Sequence, residues 1–162
     1  MTPDEYAKKH LSREIQLIES SEERLNALPE LTVYEKAIIF KYSQDGYEDL
    51  NEKLRQSEGK DISAFGILLD ECLSKLSDSQ EIVFRGVEFP KYKMDEYLIK
   101  FSNNEYVTEN AFLSTSLKAN EAYKYGMTTL RIFSEKGKAI GSISKYQNEK
   151  ESYFVTTQNL KL

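Results

Sequence analysis

Apolar positions change their spacing once along the chain, and that change divides it. Leu11, Ile15, Ile18, Leu25 and Leu28 recur at roughly helical intervals behind a Thr2–Glu5 capping box that has Pro3 at the first helical position. One helix over residues 3–27 is expected. Thr32 and Glu35 repeat the capping signal ahead of Ala37, Ile38 and Tyr42; the Asp45-Gly46 pair predicts a break, and YEDLNEKLRQ predicts a restart. After the polar stretch SEGKD, residues 63–76 predict a fourth helix with an apolar face. From Glu81 the period becomes that of strands. EIVFRGV, AFLSTSL, TTLRIFS, KAIGSIS and SYFVTT are short runs separated by turn-forming residues, with helices expected over 94–101 and 119–125. Helices first and strands later predict an α+β domain: residues 1–162 as one unit, helical to about 78 and strand-rich from about 79.

Length and composition narrow the chemistry. A chain of 162 residues can bury roughly 70% of the surface its unfolded form exposes, so no disulfide framework is required. The single cysteine, Cys72, lies in AFGILLDECLSKL with no electropositive neighbours and reads as a small core residue. With one histidine, His10, and no cysteine cluster, no metal site is expected. A net charge of -5 argues against a nucleic-acid backbone binder, which carries a basic face. The first residues are charged where a signal peptide is apolar, and no apolar run approaches the ~20 residues of a membrane span. The chain could act in the cytoplasm, be delivered by another route, or form part of a longer polypeptide. Neither a phosphate loop ending in Lys-Ser/Thr nor a strand-linked GxGxxG occurs, so a nucleotide would have to be held another way.

Three places could do that. Arg85, in IVFRGVEF, is a cation in a run apolar enough to be buried, and it needs an anionic partner, which a structural salt bridge also supplies. Gly86 beside it permits close approach of a ligand or another backbone. Ser114, Thr115 and Ser116 place hydroxyls in a run otherwise suited to a buried strand. In NEKESYF, Glu149 and Glu151 flank Lys150; in extended chain the two carboxylates share a face, although a solvated charge run has the same pattern.

Taken in order, FRG, FLSTS and SISKYQNEKE resemble the arginine–serine–glutamate class of mono-ADP-ribosyltransferases, the clostridial-toxin-like group. The resemblance spans residues 31–154. It implies helices packed on a split, antiparallel-rich β-sandwich core, NAD as co-substrate and no metal. Arg85 would hold the NAD diphosphate as a bidentate fork, with Arg131 as a second contact. Tyr42 and Asn51 match the nucleotide-contacting helical segment. Glu151 would stabilise the cationic, oxocarbenium-like ribose, Ser114 would hold Glu151 in place, and Thr115 and Ser116 would shape the nicotinamide pocket. Glu149, the first residue of Glu-x-Glu, implies arginine as the acceptor, and Tyr146 matches the aromatic of the substrate-recognition loop. The implied function is transfer of ADP-ribose from NAD to a protein arginine by a bacterial or phage toxin or effector, acting in a target-cell cytoplasm. An immunity or carrier protein is a further partner class. The alternatives are an NAD glycohydrolase and an inactive binding module of the same fold. The stretch ending in NLKL leaves the family's closing strand short or missing.

Overall fold

The computed structural model describes residues 1–145, 147, 152–155 and 158–160. Both sequence-predicted capping boxes form. Thr2 and Glu5 exchange bonds at the start of α1 (Pro3–His10), and Thr32 and Glu35 do the same at α4 (Val33–Lys41). The single long amino-terminal helix does not form. The chain leaves the helical region at Leu11 (φ -124°, ψ 36°), restarts as α2 (Ser12–Glu19), and is recapped by Ser21 for the short α3 (Glu22–Asn26). A 25-residue helix would run roughly 37 Å, whereas α4, the helix that α1 and α2 pack against, has nine residues. The breaks let both helices cover it.

α4 is buried around most of its circumference by Ala37, Ile38, Ile39 and Phe40, with Glu35 and Lys36 also enclosed. Glu35 pairs with Lys75, and the Lys36 Nζ donates to the Leu25 carbonyl at 2.7 Å. The expected break at Asp45-Gly46 is instead a π turn over Tyr42–Gly46, which leads directly into α5 (Tyr47–Gln56). Gly46 stays right-handed (φ -74°, ψ -8°), so the pair widens the helix rather than ending it. α6 (Ala64–Ser74) is capped by the Ser63 hydroxyl, which accepts from the Gly66 amide. Cys72 on α6 is fully buried, and burial pushes its thiol up to about 12.

The strand-rich half holds a five-stranded antiparallel sheet in the order β4–β1–β3–β6–β5. These strands are β1 (Ile82–Val87), β3 (Leu113–Ser116), β4 (Thr128–Phe133), β5 (Lys138–Ala139) and β6 (Ser152–Val155). A separate antiparallel pair joins β2 (Val107–Glu109) to β7 (Gln158–Leu160). Neither strand of that pair was legible in the sequence, because three residues are too few to show alternation. β7 follows β6 in the part of the sequence where a short or missing closing strand is expected. Helix α7 (Lys91–Ser102) follows β1, and α8 (Ala119–Ala122) with a 3₁₀ turn (Tyr123–Tyr125) follows β3. Of KAIGSIS only the first two residues are strand. Ile140 and Ile143 then turn away with a spacing of three, both fully buried against the helices, and the amides of Ile143 and Ser144 return to the Ile140 carbonyl. Their burial in the helical core overrides the strand pattern.

Candidate active site

β1 lies between β4 and β3 and presents Arg85 at the point where the sheet meets α5. The Arg85 Nη1 donates to the Ser114 carbonyl at 2.8 Å. One edge of the guanidinium is thereby tied to the hydroxyl strand. Among the described residues no carboxylate comes within ion-pair distance of Arg85, so the structural salt bridge is not seen there. Burial holds its pKa below the ordinary arginine value, with the Arg55 charge second and Glu109 opposing both. Gly86 answers to packing: a Cβ there would lie 1.9 Å from the Ala122 carbonyl oxygen, so α8 can cross β1 only over a glycine.

On β3, Leu113 and Thr115 are buried while Ser114 is exposed and Ser116 half-buried, the alternation of a strand with one covered face. Facing it, α5 carries Tyr47, Asn51 and Arg55 at intervals of four, which places them on one side of the helix. These surfaces enclose a cavity of about 440 Å³. It is lined by Ser43, Tyr47, Glu48, Asn51 and Arg55 from the helical side, by Phe84, Arg85 and Gly86 from β1, and by Ser114, Thr115 and Ser116 from β3. Glu121, Ala122, Tyr125 and Ser144 complete it. A second cavity of about 260 Å³ shares Arg55, Arg85, Gly86 and Tyr125 and adds Lys93, Tyr97 and Glu109. The two arginines therefore stand where the cavities meet, and Arg55 is steadied by Glu109 at 3.3 Å. Such a site suits an elongated ligand with an anionic middle.

Of the residues expected from sequence, Arg85, Gly86, Ser114, Thr115, Ser116 and Asn51 are brought together around this cavity. Tyr42 is not at its wall. It is fully buried, with its hydroxyl pushed up to about 12 by burial, against the opposing effect of its bond from Asn51. The Asn51 Nδ2 donates to that hydroxyl at 2.9 Å, and the Phe112 amide donates to the Asn51 Oδ1 at 3.1 Å. Arg131 is exposed on β4, with its guanidinium 5.5 Å from the Phe133 ring, and does not line the cavity. Tyr146, Glu149 and Glu151 lie outside the described residues. β6 begins at Ser152, immediately after Glu151 in sequence, and pairs with β3 so that Ser152 stands opposite Ser116. Sequence reasoning missed Tyr47, Arg55, Glu121 and Tyr125. The first two had a signal, because Tyr47, Asn51 and Arg55 repeat at four-residue spacing in YEDLNEKLR. Among the described residues no group of three or more His, Cys, Asp or Glu could hold a metal.

The family model for the ADP-ribosyltransferase exoenzyme matches residues 7–155. The chain belongs to the ADP-ribosyltransferase exoenzyme family. The Mycobacterium avium (strain 104) protein Mav, which carries the name NAD(+)--arginine ADP-ribosyltransferase, is 33% identical to this chain over 123 residues. That match takes in 73% of this chain but 14% of Mav, so the chain corresponds to a small part of that relative. Exoenzyme S from Pseudomonas aeruginosa, solved with human 14-3-3 protein beta and Carba-NAD, superposes with a TM-score of 0.69 at 21% identity. The superposition covers 96% of this chain and 75% of that one. The ADP-ribosyltransferase HopU1 of Pseudomonas syringae pv. Tomato DC3000 gives 0.68 at 16% identity, over 97% of this chain and 78% of its own. At these identities the likeness is one of fold. The α+β class and the antiparallel sheet of this exoenzyme domain are those of the family. Among its described residues no helix is long and apolar enough to cross a membrane.

Proposed function

We propose that this chain is a mono-ADP-ribosyltransferase that moves ADP-ribose from NAD to an arginine of a protein target. The observation that carries the reading is the pair Arg55 and Arg85 at the junction of two cavities, one of them walled by Ser114, Thr115 and Ser116. The diphosphate of NAD lies between its two nucleoside halves, and two guanidiniums at the waist of the site match it. Asn51 and Tyr47 lie on the wall that α5 supplies. In the reaction the bond between nicotinamide and the ribose carbon breaks, and nicotinamide leaves with the bonding pair. Glu151 stabilises the cationic ribose, Glu149 takes a proton from the acceptor guanidinium as the new C–N bond forms, and Ser114 steadies Glu151. Tyr146 meets the target. Residues 1–162 act as one domain, and the activity is that of a bacterial or phage effector working in a target-cell cytoplasm.

Incubation of the protein with labelled NAD and a cell lysate, followed by mass spectrometry, tests this. Arginine-linked ADP-ribose on peptides is the expected result. Free ADP-ribose without labelled protein would replace arginine by water as the acceptor, and no nicotinamide release at all would leave a binding module of the same fold.

A further inference from the structure

The π turn between α4 and α5 is a departure from regular helix, and such bulges are often found at functional sites. Its first two residues point to two different parts of the site. Tyr42 reaches the Phe112 carbonyl with its hydroxyl at 3.5 Å and receives the Asn51 amide, while Asn51 accepts from the Phe112 amide. Phe112 immediately precedes β3, two residues before Ser114. Ser43 accepts from the Lys145 amide at 3.0 Å and donates to the Phe40 carbonyl at 2.7 Å, so its hydroxyl is held in one orientation. Lys145 ends a turn whose Ile140 and Ile143 are fully buried, and Arg24 of α3 donates to the Ser144 carbonyl at 3.2 Å. In sequence that turn leads into the stretch carrying Glu149 and Glu151.

We infer that the π turn is a positioning device: adjacent residues Tyr42 and Ser43 hold the hydroxyl strand and the approach to the Glu-x-Glu stretch at a set separation. An ordinary α-helical turn would carry neighbouring side chains 100° apart at regular rise, and the extra residue resets that angle locally. The Ser43 hydroxyl acts on backbone groups, while the Tyr42 hydroxyl meets the Phe112 carbonyl and the Asn51 side chain, so their effect passes through the placement of the hydroxyl strand and of Lys145, from which the sequence runs on to the two glutamates. This inference rests on the transferase reading, under which those groups meet the ribose. Tyr42, the residue that the sequence assigned to the nucleotide, thereby acts behind the site.

The test compares Ser43→Ala with Ser43→Thr, measuring nicotinamide release at saturating NAD, NAD affinity by calorimetry, and hydrogen exchange of the Lys145 and Phe112 amides by NMR. Ser43→Ala should lower turnover about tenfold, weaken NAD binding by clearly less than that although Ser43 stands on the cavity wall, and speed exchange at Lys145 but not at Phe112. Ser43→Thr keeps the hydroxyl and should recover turnover. Arg24→Met, outside the cavity wall, should reproduce the pattern more weakly, since it releases Ser144 instead. Unchanged turnover in Ser43→Ala, an equal loss of affinity and turnover, or no recovery with Thr would overturn the inference. If the unmodified protein releases no nicotinamide, the functional reading fails, and exchange at Lys145 alone decides whether the clamp exists.

Discussion

The helical layer and the sheet bury apolar side chains on different scales. The helices share a continuous core that includes Leu11, Ile38, Ile39, Leu54, Leu69 and Leu73, and it recruits Phe112, Ile140 and Ile143 from the second half of the chain. Among the described residues, the sheet's own cluster is Val83, Leu113 and Ile132, with Leu117 and Leu130 packed beside it, and Ile82 and Phe133 remain exposed. The lesson is a division of labour. The cavity lies where the helical layer meets the sheet, so polar and charged groups can line it without interrupting the core that the helices share. Because Phe112, Ile140 and Ile143 belong to the helical core, the segments flanking the site inherit their placement from the helices.

The largest expected effect tests whether the stretch that leads in sequence into β6 carries the chemistry. Glu151→Gln should lower nicotinamide release about a thousandfold, roughly 4 kcal/mol in the barrier, with thermal unfolding unchanged; full activity in the folded variant would sink the transferase reading. Glu149→Gln should abolish peptide labelling yet keep slow NAD hydrolysis.

Next in size is a stability contrast between the two layers. Leu69→Ala in the helical core should cost about 3 kcal/mol by denaturant unfolding, and Ile132→Ala in the sheet cluster about 2 kcal/mol. A larger loss at Ile132 would reverse the ranking of the two cores. Arg85→Lys turns a fork into a point contact and should weaken NAD binding by about 1–3 kcal/mol; calorimetry giving wild-type affinity would remove Arg85 from the site. The smallest effect concerns a helix end away from the cavity. Thr32→Ala should cost about 1 kcal/mol of stability through loss of the cap, with NAD affinity unaltered.

Much of this was legible because its causes are local. The capping boxes at Thr2 and Thr32, the Ser63–Leu76 helix signal, the alternation in EIVFRGV and the burial of Cys72 all depend on neighbours within a few residues. The joint occurrence of FRG, FLSTS and Glu-x-Glu carried the family. What failed was decided elsewhere. The break at Leu11 follows from the length of α4, and the loss of strand after Ala139 follows from the pull of Ile140 and Ile143 into a core made by other helices. Tyr42 and Tyr47 look alike in sequence, five residues apart; the π turn sends one into the core beside Phe112 and leaves the other on the cavity wall. Gly86 offered two readings, and the carbonyl of Ala122, 36 residues away in sequence, settles which contact requires it. The amino-acid sequence by itself determined the class and the family, since these rest on the order of local patterns and on short motifs. Only the tertiary structure decided that Arg55 joins Arg85 and that Arg131 stands apart, because which side chains converge depends on packing between segments that the sequence keeps far apart.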